Sequence, residues 1–410
     1  GPPQPAMYGW ARNDYPVGKR NRVGIAARVA AATEAVAKRT FLAGARMAAL
    51  LAEIEWGEPI VPAVADTAWE AEIKRRGGRV AEVDRRVAPI PWLREACIAV
   101  TTYRPSEVPQ RLLNIGALVT AQENSCRYCY GANRAYMKIL GYSESFITRL
   151  ERDAQLAELD DRERGFIAFC RNLARSRPRP AGADRDRLVA LGYASLEVQE
   201  IAFLIAMGCF YNRIGVLTAC PPELGFERMA NGMVGRLIGL VTPVVRRLSP
   251  GARPAQRRST LDAETLAAGP FGPVVATLAG LPAAEQIKAA LEGAFASTAL
   301  SPDTKALMFA VVARTLGCRH CESAARQLLL AADFDTAEID TALAALASPK
   351  LPPRESGLLS WVRDTVHYQT GPIQQQTRVL AASIGPAAAL EAIGVAALAN
   401  ATVRLAMLLE

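Results

Sequence analysis

A C-x-x-C pair occurs twice in this chain, at Cys126/Cys129 and at Cys318/Cys321, and the sequence around the first returns around the second. The shift that takes position 126 to 318, 192 residues, also takes Tyr142 to Phe334, Ile147 to Ile339 and Arg162-Glu163 to Arg354-Glu355. It pairs Gly165 with Gly357 and Arg171 with Arg363 as well. Near the end the shift slips to 191, pairing Arg213 with Arg404 and Leu217 with Leu408. Register held over so long a span marks a duplicated domain, and the period far exceeds the roughly 20–50 residues of a solenoid repeat.

A chain of 410 residues has room for two such domains. Pro243, Arg246, Arg247, Pro250, Gly251, Pro254, Arg257 and Arg258 separate the copies as a basic, Pro-rich linker, read as solvated chain. The expected divisions are an N-terminal arm and helical extension over 1–85, a first domain over 86–240, the linker over 241–259 and a second domain over 260–410. Gly1-Pro2 reads as a remnant of protease processing and is set aside.

Every periodic stretch is helical. Val23 to Leu51 is a long Ala-rich pattern. Pro109–Gln122 places apolar residues at helical spacing, and Asn124-Ser125 offers capping chemistry for a helix from Cys126 to about Gly141. A short helix starts at Ser143, another spans Asp160–Arg175, and Ser195–Ala219 is long and apolar. The second copy repeats the order with Pro302–Leu316, Arg319–Ala332, Thr336–Ala347, Pro353–Tyr368 and Pro386–Leu409. No period-2 segment suggests a strand, so the expected fold is all-α, two tandem helical domains related by a pseudo-two-fold.

Composition narrows the function. Only two histidines, His320 and His367, are present, which excludes a His triad or a multi-histidine metal site from the first 319 residues. The net charge of +8 comes without a Lys/Arg tract interleaved with aromatics, so nucleic acid is not an expected partner. Ile201–Val216, about 16 residues, and the shorter Gly232–Val245 contain Arg213 and Arg236; both read as buried core helices rather than membrane spans. Eight cysteines are too few for a disulfide scaffold of this size. With no charged segment followed by an apolar one at the start, a cytoplasmic protein is expected.

A C-x-x-C at a helix start holds two sulfurs one turn apart, and the unpaired N–H groups there favour a thiolate on the first cysteine. Arg127 and Arg319, between the cysteines, would assist. The competing readings are a metal site and buried inert thiols. Cys97, Cys170, Cys209 and Cys220 have no motif and read as core residues, although Cys209 or Cys220 could approach a pocket. His320 reads as a solvent-facing helix residue or a thiolate partner, and His367 as a surface or capping residue. Asn212-Arg213 either lines a pocket in the first copy, or Arg213 ends a buried helix structurally.

Leu112–Asn133, with Cys126-Arg127-Tyr128-Cys129, the Arg162-Glu163-Arg164-Gly165 helix and the Tyr211-Asn212-Arg213 ending together resemble the carboxymuconolactone decarboxylase/AhpD-like alkylhydroperoxidase superfamily. The resemblance covers about 90–220 and, more faintly, 285–410. It implies reduction of a hydroperoxide or disulfide, with Cys129 attacking and Cys126 resolving, and the Cys318/Cys321 pair repeating them. Tyr128, Arg213 and His320 become pocket candidates. No organic cofactor and no metal are implied. The partners would be a small-molecule substrate and a thiol reductant protein. Relatives assemble from single-domain subunits, so a fused pair resembles a pre-joined dimer and a homo-oligomer is expected.

Redox-active relatives place a Glu twelve residues before the first cysteine and a His four after the second. Here those positions are Asn114 and Asn133, and in the second copy Ala306 and Ala325. An amide hydrogen-bonds but takes no proton at neutral pH, so the general base is gone. A binding or scaffold protein and a non-redox enzyme acting on a small metabolite are therefore carried as alternatives.

Overall fold

The computed structural model describes Leu51 and residues 57–152, 157–233, 235, 237–239, 241–242 and 258–408. Apart from Leu51, the helix expected over Val23–Leu51 lies outside the described residues, as do positions 243–257 of the linker. The described residues form nineteen α-helices and one 3-10 turn, with no strand among them; the fold is all-α.

Most expected helices are present with boundaries set by capping chemistry. Gln110–Glu123 follows Pro109, and Asp161–Arg175 starts from an Asp160/Glu163 capping box. Ser195–Leu217, Pro302–Leu316, Thr336–Ala345 and Pro386–Ala406 fall where periodicity puts them. Three readings change. The cap of the Arg127–Ile139 helix is Cys126 itself, whose sulfur accepts the Cys129 N–H, because Ser125 has already turned left-handed at φ 49. Pro353–Tyr368 is a 3-10 turn, Pro353–Glu355, followed by the helix Leu358–Asp364. The described residues of Gly232–Val245 do not form a core helix: Met233, Leu237 and Val241 are more than half exposed, and Thr242 donates to the Ile139 carbonyl. The segment's apolar composition alone misled, since an apolar run does not say which side is covered.

The Ser195–Leu217 helix is longer than its apolar run suggested. At 23 residues it, like the 21-residue Pro386–Ala406 helix, is long and apolar enough to cross a bilayer, yet 83% and 89% of the apolar windows are buried in protein. These two helices pack on each other along most of their length and join the two halves of the chain. Gln110–Glu123 and Asp161–Arg175 pack on the N-terminal side of this pair, and Pro302–Leu316 and Leu358–Asp364 on the C-terminal side. Most buried apolar residues from Leu51 to Leu408 form one continuous cluster, and Trp69, Ile73, Ala88 and Ile98 form a second, small one.

Two buried arginines tie the halves together reciprocally. Arg213, 1% exposed, donates from Nε to the Thr365 carbonyl (3.2 Å) and from Nη2 to that of Val366 (3.1 Å), at the C-terminus of Leu358–Asp364. Arg404, 0% exposed, donates to the Ala174 carbonyl (3.3 Å), near the C-terminus of Asp161–Arg175, and to Val366 (3.4 Å). Each also reaches back to the carbonyl four residues earlier, Cys209 for Arg213 and Asn400 for Arg404. A helix C-terminus presents unpaired carbonyls and partial negative charge, and each half's arginine answers the other half's.

Candidate functional site

Cys126 and Cys129 sit on the first turn of the Arg127–Ile139 helix with their sulfurs 2.6 Å apart. The Cys129 N–H donates to the Cys126 sulfur at 3.3 Å. Both are free thiols and both are buried. A covalent S–S bond is about 2.05 Å, so joining them needs only a small movement. Gly215 lies against the pair: a Cβ there would be 3.1 Å from the Cys126 sulfur and 3.5 Å from that of Cys129. The absence of that carbon lets the long helix approach the dithiol.

Of the two, Cys129 lines a cavity of about 810 Å³, and Cys126 lies behind it. Asn114 and Asn133 line the same cavity, so the structure brings together the positions that the sequence grouped. The Asn114 carbonyl oxygen accepts from Gln110 (3.0 Å) and its amide donates to the Tyr142 hydroxyl (3.2 Å). Asn133 donates to the Ala117 carbonyl (3.1 Å). Burial pushes the Cys129 thiol well above its ordinary value, the adjoining Cys126 adds to the rise, and a hydrogen bond from Asn212 opposes it. Burial thus favours the thiol form of Cys129, against the attacking thiolate that the resemblance implies there. Arg127 does not supply the missing charge: it is held in a two-pronged ion pair with Glu227 at 2.8 and 2.9 Å.

Other candidates fall elsewhere. Arg213 is absent from the cavity wall and has the structural role described above. Cys97, Cys170, Cys209 and Cys220 are buried, and none lines the cavity. His367 is half-buried near Arg177, Arg404 and Arg213, and burial with those charges pulls it down to about 4, so it stays neutral. Among the described residues no group of three or more His, Cys, Asp or Glu side chains is arranged to hold a metal ion.

The second motif repeats the local geometry, and its cysteines do not line the 810 Å³ cavity. Cys318 caps the Arg319–Leu330 helix and accepts the Cys321 N–H at 3.5 Å, and both cysteines are buried. Arg319 is exposed and His320 half-exposed. Under the 192-residue register, Gly116 and Ala117 of the cavity wall become Met308 and Phe309, each 0% exposed. Phe309 stacks on Phe271 at 4.5 Å and leans on Phe295 at 5.5 Å.

Sequence reasoning missed most of the cavity wall. Tyr103, Phe203 and Phe226 come from separate segments, and Gly77, Gly78, Arg79 and Ala81 from the stretch read as an arm. Behind that stretch lies Asp84, 1% exposed, with one oxygen accepting from the Ala81 N–H (2.8 Å) and the other unpartnered. Burial raises its pKa from 3.8 to about 6. A carboxyl raised on folding supports the fold below its unfolded pKa and loses that contribution as the pH climbs through the folded one. Asp84→Asn is therefore expected to stabilise the protein by about 1–3 kcal/mol at roughly pH 8. Thermal midpoints should show the gain vanish at roughly pH 4; a gain independent of pH would contradict this assignment.

Residues 282–364 match the model of the carboxymuconolactone decarboxylase family. This supports the AhpD-like superfamily for the chain, and the matched segment includes Cys318/Cys321. The match falls on the copy whose resemblance was the fainter one by eye. No curated protein and no solved structure matches the chain.

Proposed function

We propose that the chain is an AhpD-like dithiol oxidoreductase whose working centre is Cys126/Cys129. Cys129 meets a small hydroperoxide or disulfide in the cavity, and Cys126 resolves the product as an intramolecular disulfide. The observation that carries this reading is the position of Cys129 on the wall of an 810 Å³ cavity with a second thiol sulfur 2.6 Å away. That volume suits a small organic molecule, and the mostly apolar wall, with Leu112, Phe166, Phe203 and Met207, favours an apolar one. The two halves are proposed as tandem AhpD-like domains over 86–240 and 260–410, the second one serving as a scaffold. The reciprocal Arg213 and Arg404 contacts support a pseudo-two-fold between them. A cytoplasmic setting, a dithiol reductant protein and assembly into a homo-oligomer complete the proposal.

Turnover tests it. With an organic hydroperoxide and a small dithiol reductant, the wild type should consume peroxide, Cys129→Ser should not, and Cys318→Ser with Cys321→Ser should retain most of the rate. Peroxide consumption that survives Cys129→Ser would remove this reading.

A second reading has its own observation in favour: amides at the relay positions and a Cys129 thiol held protonated suit a protein that binds or transforms a small metabolite without thiol chemistry. Tight binding of an apolar ligand, unchanged when both cysteines of the first pair are replaced, would favour it.

A further inference from the structure

With Asn at both relay positions, the cavity still needs a group to protonate the oxygen that leaves when a thiol attacks a peroxide. Two tyrosines on its wall are hydrogen-bonded to carboxylates. Tyr103 donates to Glu200 at 2.6 Å, but Glu200 is 0% exposed and its oxygens also accept the N–H groups of Ser106, Glu107 and Val108. That pair is sealed and structural. Tyr128 differs. Its hydroxyl donates to Glu223 at 3.4 Å, and the Glu223 side chain is 12% exposed. Glu223 is held by Arg79 at 2.9 Å and by the Glu82 N–H at 2.8 Å, and Arg79 itself lines the cavity. The Tyr128 ring also borders the dithiol, since a Cβ on Gly215 would touch it and both sulfurs.

We infer that Tyr128 is the general acid of this site and Glu223 its proton path to solvent. The inference rests on the dithiol reading above. In the step, the Cys129 sulfur bonds to the terminal peroxide oxygen and the O–O bond breaks. The thiol is oxidised to a sulfenic acid and the peroxide reduced to an alcohol. Tyr128 gives its proton to the departing alkoxide oxygen, and solvent returns one through Glu223, matching the proton released by the thiol. Cys126 then displaces water to form the disulfide, losing one proton from its own thiol.

The test is single-turnover oxidation of the pre-reduced full chain by tert-butyl hydroperoxide, quenched in acid and read by mass spectrometry. Tyr128→Phe should slow it by about a hundredfold, the usual scale of a positioned acid. Glu223→Gln should slow it by about tenfold, within the range for weakening a proton path. With peracetic acid, whose leaving carboxylate needs no proton, the Tyr128→Phe penalty should shrink to about threefold or less, because the leaving group's acidity replaces the acid catalyst. Iodoacetamide labelling of Cys129 should change little. A structural role for Tyr128 would slow both oxidants alike, and that result would overturn the inference. If Tyr128→Phe does not fold, Glu223→Gln decides: wild-type rates with tert-butyl hydroperoxide overturn it. A wild type that forms no disulfide with either oxidant sinks the dithiol reading instead.

Discussion

Asn114→Glu combined with Asn133→His is expected to raise the rate of hydroperoxide-driven oxidation at Cys129 by about a hundred- to ten-thousandfold. Both positions lie on the wall that carries Cys129. The thiol there is held protonated by burial, and a carboxylate–imidazole pair would accept its proton. Asn114 already bridges Gln110 and the Tyr142 hydroxyl, so a Glu finds donors in place. Asn133→His gives up a hydrogen bond to the Ala117 carbonyl, a loss of about 1 kcal/mol that the fold can bear. Adding Cys129→Ser to the restored protein should abolish the gain. The matching changes Ala306→Glu and Ala325→His should yield none and should destabilise the protein, because those positions are 3% and 0% exposed and a buried unpaired carboxylate is costly. A stopped-flow comparison that finds the restored, folded first copy no faster than wild type would rule out proton transfer as the missing element.

Arg213→Ala and Arg404→Ala should each cost about 1–3 kcal/mol of stability, the scale for leaving a buried acceptor without its donor. The loss comes from the carbonyl that each alone serves, Thr365 for Arg213 and Ala174 for Arg404; the Val366 carbonyl, shared by both, loses every donor only in the double variant. Each orphaned buried acceptor costs about 1–3 kcal/mol. The two arginines share Val366, and Arg213 together with burial draws Arg404 down to about 9, so their effects are coupled rather than independent. Denaturant melts of the single and double variants should give a non-additive cycle. Separate, additive losses would mean that the two halves are not joined through this network.

What the sequence made legible was local. The helices read from Asp160 and from Pro302 are present, and the structure shows them started by capping from Asp160 with Glu163 and from Ser301, neighbours a few residues away. The C-x-x-C pair stood out by its own spacing, while its two Asn companions were singled out by the resemblance to redox-active relatives; the four positions lie on one helix start and the helix before it. The rest depended on contacts between distant segments. Arg213 reads equally as pocket or structural residue until its carbonyl partners, 152 and 153 positions away, are known. The cavity wall combines Arg79, Tyr103, Phe203 and Phe226, which no periodicity connects. The exposed face of residues 233–242 shows the same limit, since apolar content is shared by core helices and surface segments. The signal that could have found Phe309 was the register itself: a glycine and an alanine of the first copy stand against a methionine and a phenylalanine of the second.

The central claim is that Cys126 and Cys129 form a reversible redox pair served by the cavity. Peptide mapping of the fully reduced protein, before and after brief exposure to an organic hydroperoxide, tests it most directly. The account predicts a disulfide linking 126 and 129, reversed by a dithiol, while Cys97 and Cys170, both 0% exposed, remain thiols. A folded protein in which 126 and 129 stay reduced would contradict it.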